Sequence, residues 1–229
     1  MSDLETILRK LANINNAILD SSTKDMQKEH TLFPNEFLGR VIKAYYSVDY
    51  VGFGNPNNPD YINTLKNDFD KNSKQENDLA MISLCMTCKK PISNIINYHN
   101  IDMVCIVPRA KELSFYSETQ LFFKSSIEKI VNSINSNLNG LHFIQRHKNT
   151  RTTHFHNKPE YGGDGDMPYP GITKDTCYIS PEVRGKNILL IDDIYTKTIN
   201  IDEDCIQALL DNGAKDVVLY TVARTAKKY

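Results

Sequence analysis

The sequence predicts an α/β protein, a parallel sheet with helices on both faces. Three observations predict it. Ile188–Ile191 is a continuous apolar run, as expected of a central strand covered on both sides. Asp192 and Asp193 follow it, and after a short loop comes a strongly helical pattern beginning at Ile201. From residue 74 onward, strand-like and helix-like patterns alternate, the signature of βαβ units.

The elements follow in order. Residues 1 to about 30 read as one polar helix with Leu4, Ile7, Leu8, Leu11, Ile14 and Ile18 as its apolar stripe. Residues 31–72 read as irregular, because Gly, Asn and Pro recur through Val51-Gly-Phe-Gly-Asn-Pro-Asn-Asn-Pro59 and force turns. Tyr45, Tyr46, Tyr50, Phe53 and Tyr61 make this segment aromatic. It is either a hood over a substrate or a set of loops anchored to the core. A helix at about 75–99 precedes the strand Met103–Val107, and a helix from Ser117 to Asn137 precedes the strand Leu141–Gln145. The strand Ile188–Ile191, a helix over 201–211 and the strand Val217–Val222 complete the chain. Gly213 sits where a helix C-cap glycine belongs. The expectation is a parallel sheet of about four strands joined by right-handed crossovers. The chain divides into an N-terminal segment, 1–73, and an α/β domain, 74–229.

Composition bounds the function. At 229 residues and 26.2 kDa there is room for one substantial α/β domain with an elaboration. A formal charge of −1 and a pI near 6.6 argue against a nucleic-acid surface built on gross positive charge. No apolar run is long enough to span a bilayer, and Met1-Ser-Asp-Leu-Glu-Thr6 lacks the plan of a signal peptide, so the expected location is cytoplasmic. The cysteines Cys85, Cys88, Cys105, Cys177 and Cys205 are odd in number and irregular in spacing, which fits a reducing compartment. Cys85 and Cys88 have zinc-knuckle spacing without a second pair, and helix packing explains them better.

Asp192 and Asp193 close a central strand at its carboxyl end, where open α/β sheets bind ligands. Thr196, Lys197, Thr198, Ile199 and Asn200 then lead into a helix whose first backbone N–H groups can receive a phosphate. Asn200 and Glu203 have capping-box spacing. Carboxylates beside such a cradle suit a sugar bearing both hydroxyls and phosphate. An ordinary strand–helix junction with surface aspartates, as in a receiver-like domain, is the plain alternative. Arg109 and Lys111 stand at the end of the Met103–Val107 strand, on the same sheet edge, and a guanidinium binds diphosphate oxygens bidentately.

This constellation resembles the 5-phosphoribosyl 1-diphosphate (PRPP) motif of type I phosphoribosyltransferases. Within that family it is most similar to the ComF-like, competence-associated branch, through Arg146-His-Lys-Asn-Thr150, Asp192-Asp-Ile-Tyr195-Thr196 and Thr221-Val-Ala-Arg224. The likeness spans roughly residues 100–225. Thr198 stands where the family usually has Gly and Asn200 where it usually has Thr, and the paired N-terminal cysteine motifs of ComF proteins are missing.

The resemblance implies a type I phosphoribosyltransferase fold. It implies an enzyme that moves the phosphoribosyl group of PRPP to a nitrogen nucleophile such as a nucleobase, with pyrophosphate released. Arg109, Lys111, Asp192, Asp193, Tyr195, Thr196, Lys197, Thr198, Ile199 and Asn200 would bind PRPP. Arg146, Lys148 and Arg151, opening a flexible cationic loop, would join Asp193 as catalytic residues, their charge meeting the leaving pyrophosphate. Mg²⁺ is the expected cofactor, carried by PRPP and met by Asp192 or Asp193 through water. His147, His154 and His156 could suggest a metal site but lack ligand partners at regular spacing. Asp164 and Asp166 either order a turn or reach the nucleophile's site. The alternative function is a non-catalytic PRPP-binding regulatory or partner-binding module, ComF-like and linked to DNA metabolism. The expected partners are PRPP and a nucleobase-like acceptor, with a homodimer left open, no membrane, and nucleic acid only by family analogy.

Overall fold

The computed structural model of the protein describes residues 27–151 and 171–226. Its centre is a five-stranded sheet of β1 (Lys28–Leu32), β2 (Ile42–Tyr50), β3 (Met103–Ile106), β6 (Asn187–Tyr195) and β7 (Asp216–Thr225). These strands lie in the order β1-β2-β7-β6-β3, with β1 antiparallel to β2 and the other neighbours parallel. Four helices accompany it among the described residues: α1 (Tyr61–Lys66), α2 (Lys74–Tyr98), α3 (Phe122–Asn135) and α4 (Ile201–Asp211). A second, two-stranded antiparallel sheet pairs β4 (Ile144–Arg146) with β5 (Cys177–Ile179). The protein is therefore α/β with a mixed, mostly parallel sheet.

Side-chain alternation along the strands divides the apolar residues between two cores. On one face Leu189, Ile191, Val218 and Tyr220 pack with Leu84 and Ile92 of α2 and Ile127 of α3. On the other, Ile188, Leu190 and Leu219 pack with Cys205, Ile206 and Leu209 of α4 and with Phe143. Because both faces are covered, Ile188–Ile191 can be apolar at every position, and all four are fully buried.

The helix expected at 75–99 is α2, started by a capping box in which Ser73 and Glu76 satisfy each other's backbone N–H groups. Cys88 is buried in the core and Cys85 packs against it, so both serve helix packing. α4 has the expected span, and Gly213 ends it at φ 92, with Ala214 N donating to Leu209 O.

Four expectations are corrected. Residues 31–72 are not irregular throughout: β1 and β2 lie there or begin just before it, and Ile42, Ala44 and Tyr45 are buried. Their sheet crosses the boundary drawn between 73 and 74, so Tyr45 is a core residue rather than part of a hood. Residues 28–30 are strand, not the tail of a helix; the stripe from Leu4 to Ile18 lies outside the described residues. The helix expected from Ser117 begins only at Phe122, because Ser117 Oγ donates to Asp70 and the chain passes through a 3₁₀ turn at Thr119–Leu121. Finally, Leu141–Gln145 does not join the main sheet. Gly140 N donates to Val104 O, Phe143 N turns back to Gly140 O, and the strand that follows pairs with β5.

Candidate functional site

Asp192 and Asp193 lie inside β6, not beyond it, so alternation sends their side chains to opposite faces. Asp193 Oδ2 meets Lys66 Nζ at 2.8 Å on the α1 side, and both side chains are nearly buried. Lys66 is the last residue of α1, where Asn67 turns the chain left-handed and its Oδ1 accepts from Lys71 N and Asn72 N. That knot aims the lysine at the strand end. Asp193 and its neighbours hold the Lys66 ammonium above its usual range despite burial.

Asp192 faces α4, where Asp202 is buried beside it. Burial, with the Asp193 charge next to it, pushes the Asp192 carboxyl up to about 8. Asp202 is raised for the same first reason, burial, with the charge of Asp192 second. Two buried carboxyls in contact disfavour each other's charge, so the pair holds on to protons more tightly than free carboxyls do. Asp192 Oδ1 also accepts from Asp193 N at 2.8 Å, which holds it at the strand end.

The loop after β6 is short and mostly ordered by itself. Ile199 N donates to Thr196 O at 2.9 Å, and Thr196 Oγ1 lies 2.6 Å from Thr225 Oγ1. Lys197 and Thr198 are exposed. Asn200 takes the left-handed conformation, φ 60, which Asn tolerates better than most residues. Position 198 needs no glycine here, since the left-handed residue of this loop is Asn200. Asn200 and Glu203 do not form the expected capping box. Asn200 makes no cap bond and its Oδ1 accepts from Asn35 Nδ2, while Glu203 accepts the Tyr195 hydroxyl at 2.8 Å. Tyr195 is buried, its ring centroid 5.0 Å from that of His30, and packs in the core beneath α4.

A cavity of about 450 Å³ opens at the carboxyl ends of β3 and β6. Asp192, Asp193, Thr196 and Ile199 line it from one side and Arg109 and Lys111 from another. Its apolar wall comes from Leu113, Leu121, Phe123, Ile144 and Ile172. Tyr195, Lys197, Thr198, Asn200 and Lys148 are not among the lining residues.

The arginines are engaged by the protein. Arg109 Nη1 donates to Lys66 O and Gln120 O at 2.8 and 2.6 Å, Nη2 donates to Asp68 Oδ1, and the guanidinium carbon lies 4.3 Å from the Tyr116 ring centroid. Arg146 is buried in β4, its Nε donating to Arg109 O at 2.7 Å and Nη1 to Gly171 O at 3.0 Å. Thr150 N donates to Ala110 O, so residues 146–150 are pinned against the loop after β3. Arg151 is exposed at the cavity mouth. His154, His156, Asp164 and Asp166 fall outside the described residues; His147 Nε2 lies 3.3 Å from Lys174 O.

Lys66, Asp202 and Lys124 also line the cavity, yet none stands out in the sequence. Lys66 sits in a turn-rich segment with no local mark of its distant partner. Lys124 is hidden by the helix start: with the helix begun at Ser117 it falls past the first turn, and only the observed start at Phe122 makes it a cation in a first turn that has no acid. Burial lowers its ammonium below the usual range, opposed only by Glu128 one turn on. Among the described residues no group of three or more His, Cys, Asp or Glu is placed to hold a metal ion, and no helix is long and apolar enough to cross a membrane. No protein-family model matches the chain, and neither does any curated protein.

Proposed function

We propose that the protein binds PRPP in the cavity at the ends of β3 and β6 and transfers its phosphoribosyl group to a nitrogen nucleophile such as a nucleobase. The observation that carries this reading is the convergence of Asp192, Asp193, the Thr196–Ile199 loop and the Pro108–Lys111 loop on one cavity at the carboxyl edge of a mostly parallel sheet. Helices on both faces of that sheet support reading the fold as that of a type I phosphoribosyltransferase.

In this reading the Asp192 and Asp193 carboxyls receive the ribose hydroxyls, and Thr196 with its loop receives the 5-phosphate. The bond from the anomeric carbon to the diphosphate oxygen breaks as a bond from the nucleophile's nitrogen forms, and pyrophosphate leaves. The apolar wall of Leu121, Phe123 and Ile144 excludes water and suits a planar acceptor. The carboxylate oxygens at the strand end are the donor type Mg²⁺ takes, and Asp192 or Asp193 would meet it through water. Bound with PRPP, it would neutralise diphosphate charge.

One observation favours a second reading, a non-catalytic PRPP-binding module. The guanidinium groups of Arg109 and Arg146 already donate to protein oxygens, which reduces what they can offer a leaving group. A panel of bases with PRPP and Mg²⁺, read by pyrophosphate release, decides between them. Release with one base supports transfer; PRPP binding without release from any base leaves the module.

A further inference from the structure

Among the described residues, two helices of more than one turn begin at the cavity, and their first turns differ in charge. α4 opens with Asp202, Glu203 and Asp204. Asp202 and Glu203 are turned inward and buried, and Asp204 Oδ2 accepts from Ile172 N at 2.7 Å. α3 opens with no acid in its first turn and no side-chain cap bond at Leu121. Lys124, its third residue, lines the cavity.

Among the described residues, Lys124 is answered within its own protein only by the charge of Glu128, one turn on. Its ammonium is half-buried, it sits at the positive end of a helix dipole, and it makes no hydrogen bond or ion pair among the described residues. Each of these disfavours a cation, and an anion bound in the cavity would reverse all three. The other cavity cations whose partners are described are occupied. Lys66 is paired with Asp193, and Arg109 and Arg146 donate to protein oxygens.

We infer that Lys124 is an anion-binding residue of this cavity and holds the diphosphate of the ligand at the start of α3. The identity of that anion rests on the PRPP reading; the anion site itself does not. A first-turn cation that no hydrogen bond or salt bridge among the described residues holds, with only the Glu128 charge one turn on to offset it, inside a concave site, marks a residue kept for a ligand. Lysine suits the task as a point charge that pyrophosphate can leave once it is formed.

The test is calorimetric titration of the full chain with inorganic pyrophosphate. Wild type binds it, and Lys124→Met weakens binding by about tenfold or more while Lys124→Arg keeps most of it. Lys124→Met retains or raises the melting temperature, because it removes a half-buried charge that no hydrogen bond or salt bridge among the described residues holds, so the loss is not one of folding. No pyrophosphate binding by wild type at millimolar concentration, or equal binding by Lys124→Met, overturns the assignment. PRPP binding no tighter than pyrophosphate, with both lost in Lys124→Met, leaves the anion site standing and removes the phosphoribosyl reading instead.

Discussion

Lys66 and Asp193 form an ion pair at 2.8 Å in which each side chain keeps 11% of its surface exposed. It joins the end of α1 to the end of β6, across the boundary that the sequence suggests between an N-terminal segment and an α/β domain. A pair this buried gains little over two apolar residues, but breaking it leaves one charge uncompensated. Lys66→Met should therefore cost about 3 kcal/mol of unfolding free energy. The double change Lys66→Met with Asp193→Asn should recover much of that. Denaturant unfolding of the two single variants and the double variant checks it; strictly additive losses would contradict the pairing.

Stability should fall as pH rises from about 6.5 to about 8. The Asp192 carboxyl, ordinarily near 3.8, is pushed up to about 8, so the folded state binds its proton more tightly than the unfolded chain. The stability this gives is fully present below the unfolded value and is lost as pH rises through the folded one. His30 acts with the opposite sign. Burial and the Arg224 charge lower it from 6.5 to about 4, so stability is lost as pH falls across that window. The two slopes oppose each other from about 4 to 6.5, and above that the Asp192 carboxyl, coupled to the raised Asp202 beside it, sets the decline. Asp192→Asn should flatten the alkaline slope, while His30→Gln should let the decline begin at lower pH. Unfolding free energies measured across this range decide the matter.

The strand β6, its acids and α4 were legible because local pattern dictates them. Ile188–Ile191 has no polar position, and the spacing of Ile201, Cys205, Ile206 and Leu209 is helical. The β2 strand was not legible, although Ile42-Lys-Ala-Tyr-Tyr-Ser-Val-Asp-Tyr50 is rich in strand formers. It is flanked by Gly, Asn and Pro turns, and its partner is β7, with Ala44 beside Leu219. Leu141–Gln145 has the pattern of a strand, but tertiary bonds at Gly140 turn the chain away from the main sheet. The strand-end residues Arg109, Lys111, Asp192, Asp193 and Thr196, singled out in the sequence, all line one cavity. What a guanidinium will touch is not written locally. Nothing near Arg109 in sequence names Asp68 or the Lys66 carbonyl as its acceptors, and nothing near Lys66 names Asp193.

Arg146 should prove to be a brace. Arg146→Met leaves Arg109 O without its side-chain donor and Gly171 O with only the Thr176 hydroxyl, and should cost about 2 kcal/mol. Arg146→Lys should not restore it, because one ammonium cannot span both oxygens as the guanidinium does. Amide exchange at Thr150, whose N–H bonds Ala110 O, should speed in both variants. Wild-type exchange and stability in Arg146→Met, with turnover alone reduced, would return Arg146 to a purely catalytic role.

Gly140 is packed against β3 without room for a side chain. A Cβ there would lie 2.6 Å from Met103 Cγ and 3.1 Å from Val104 O. Gly140→Ala should cost about 1–3 kcal/mol. Adding Met103→Ala clears the side-chain clash but opens a void, so it should return only part of that loss. Thermal melts of the two variants check the order. A Gly140→Ala protein as stable as wild type would contradict the close approach.

Calorimetric titration of the full chain with PRPP and Mg²⁺ is the most direct test of the cavity's role. Saturable one-to-one binding is expected well below millimolar PRPP, and Asp193→Asn should weaken it by about tenfold or more, with folding confirmed by its melt. No saturable heat at millimolar PRPP, or undiminished binding by a folded Asp193→Asn variant, would contradict the assignment of this strand end as the phosphoribosyl site.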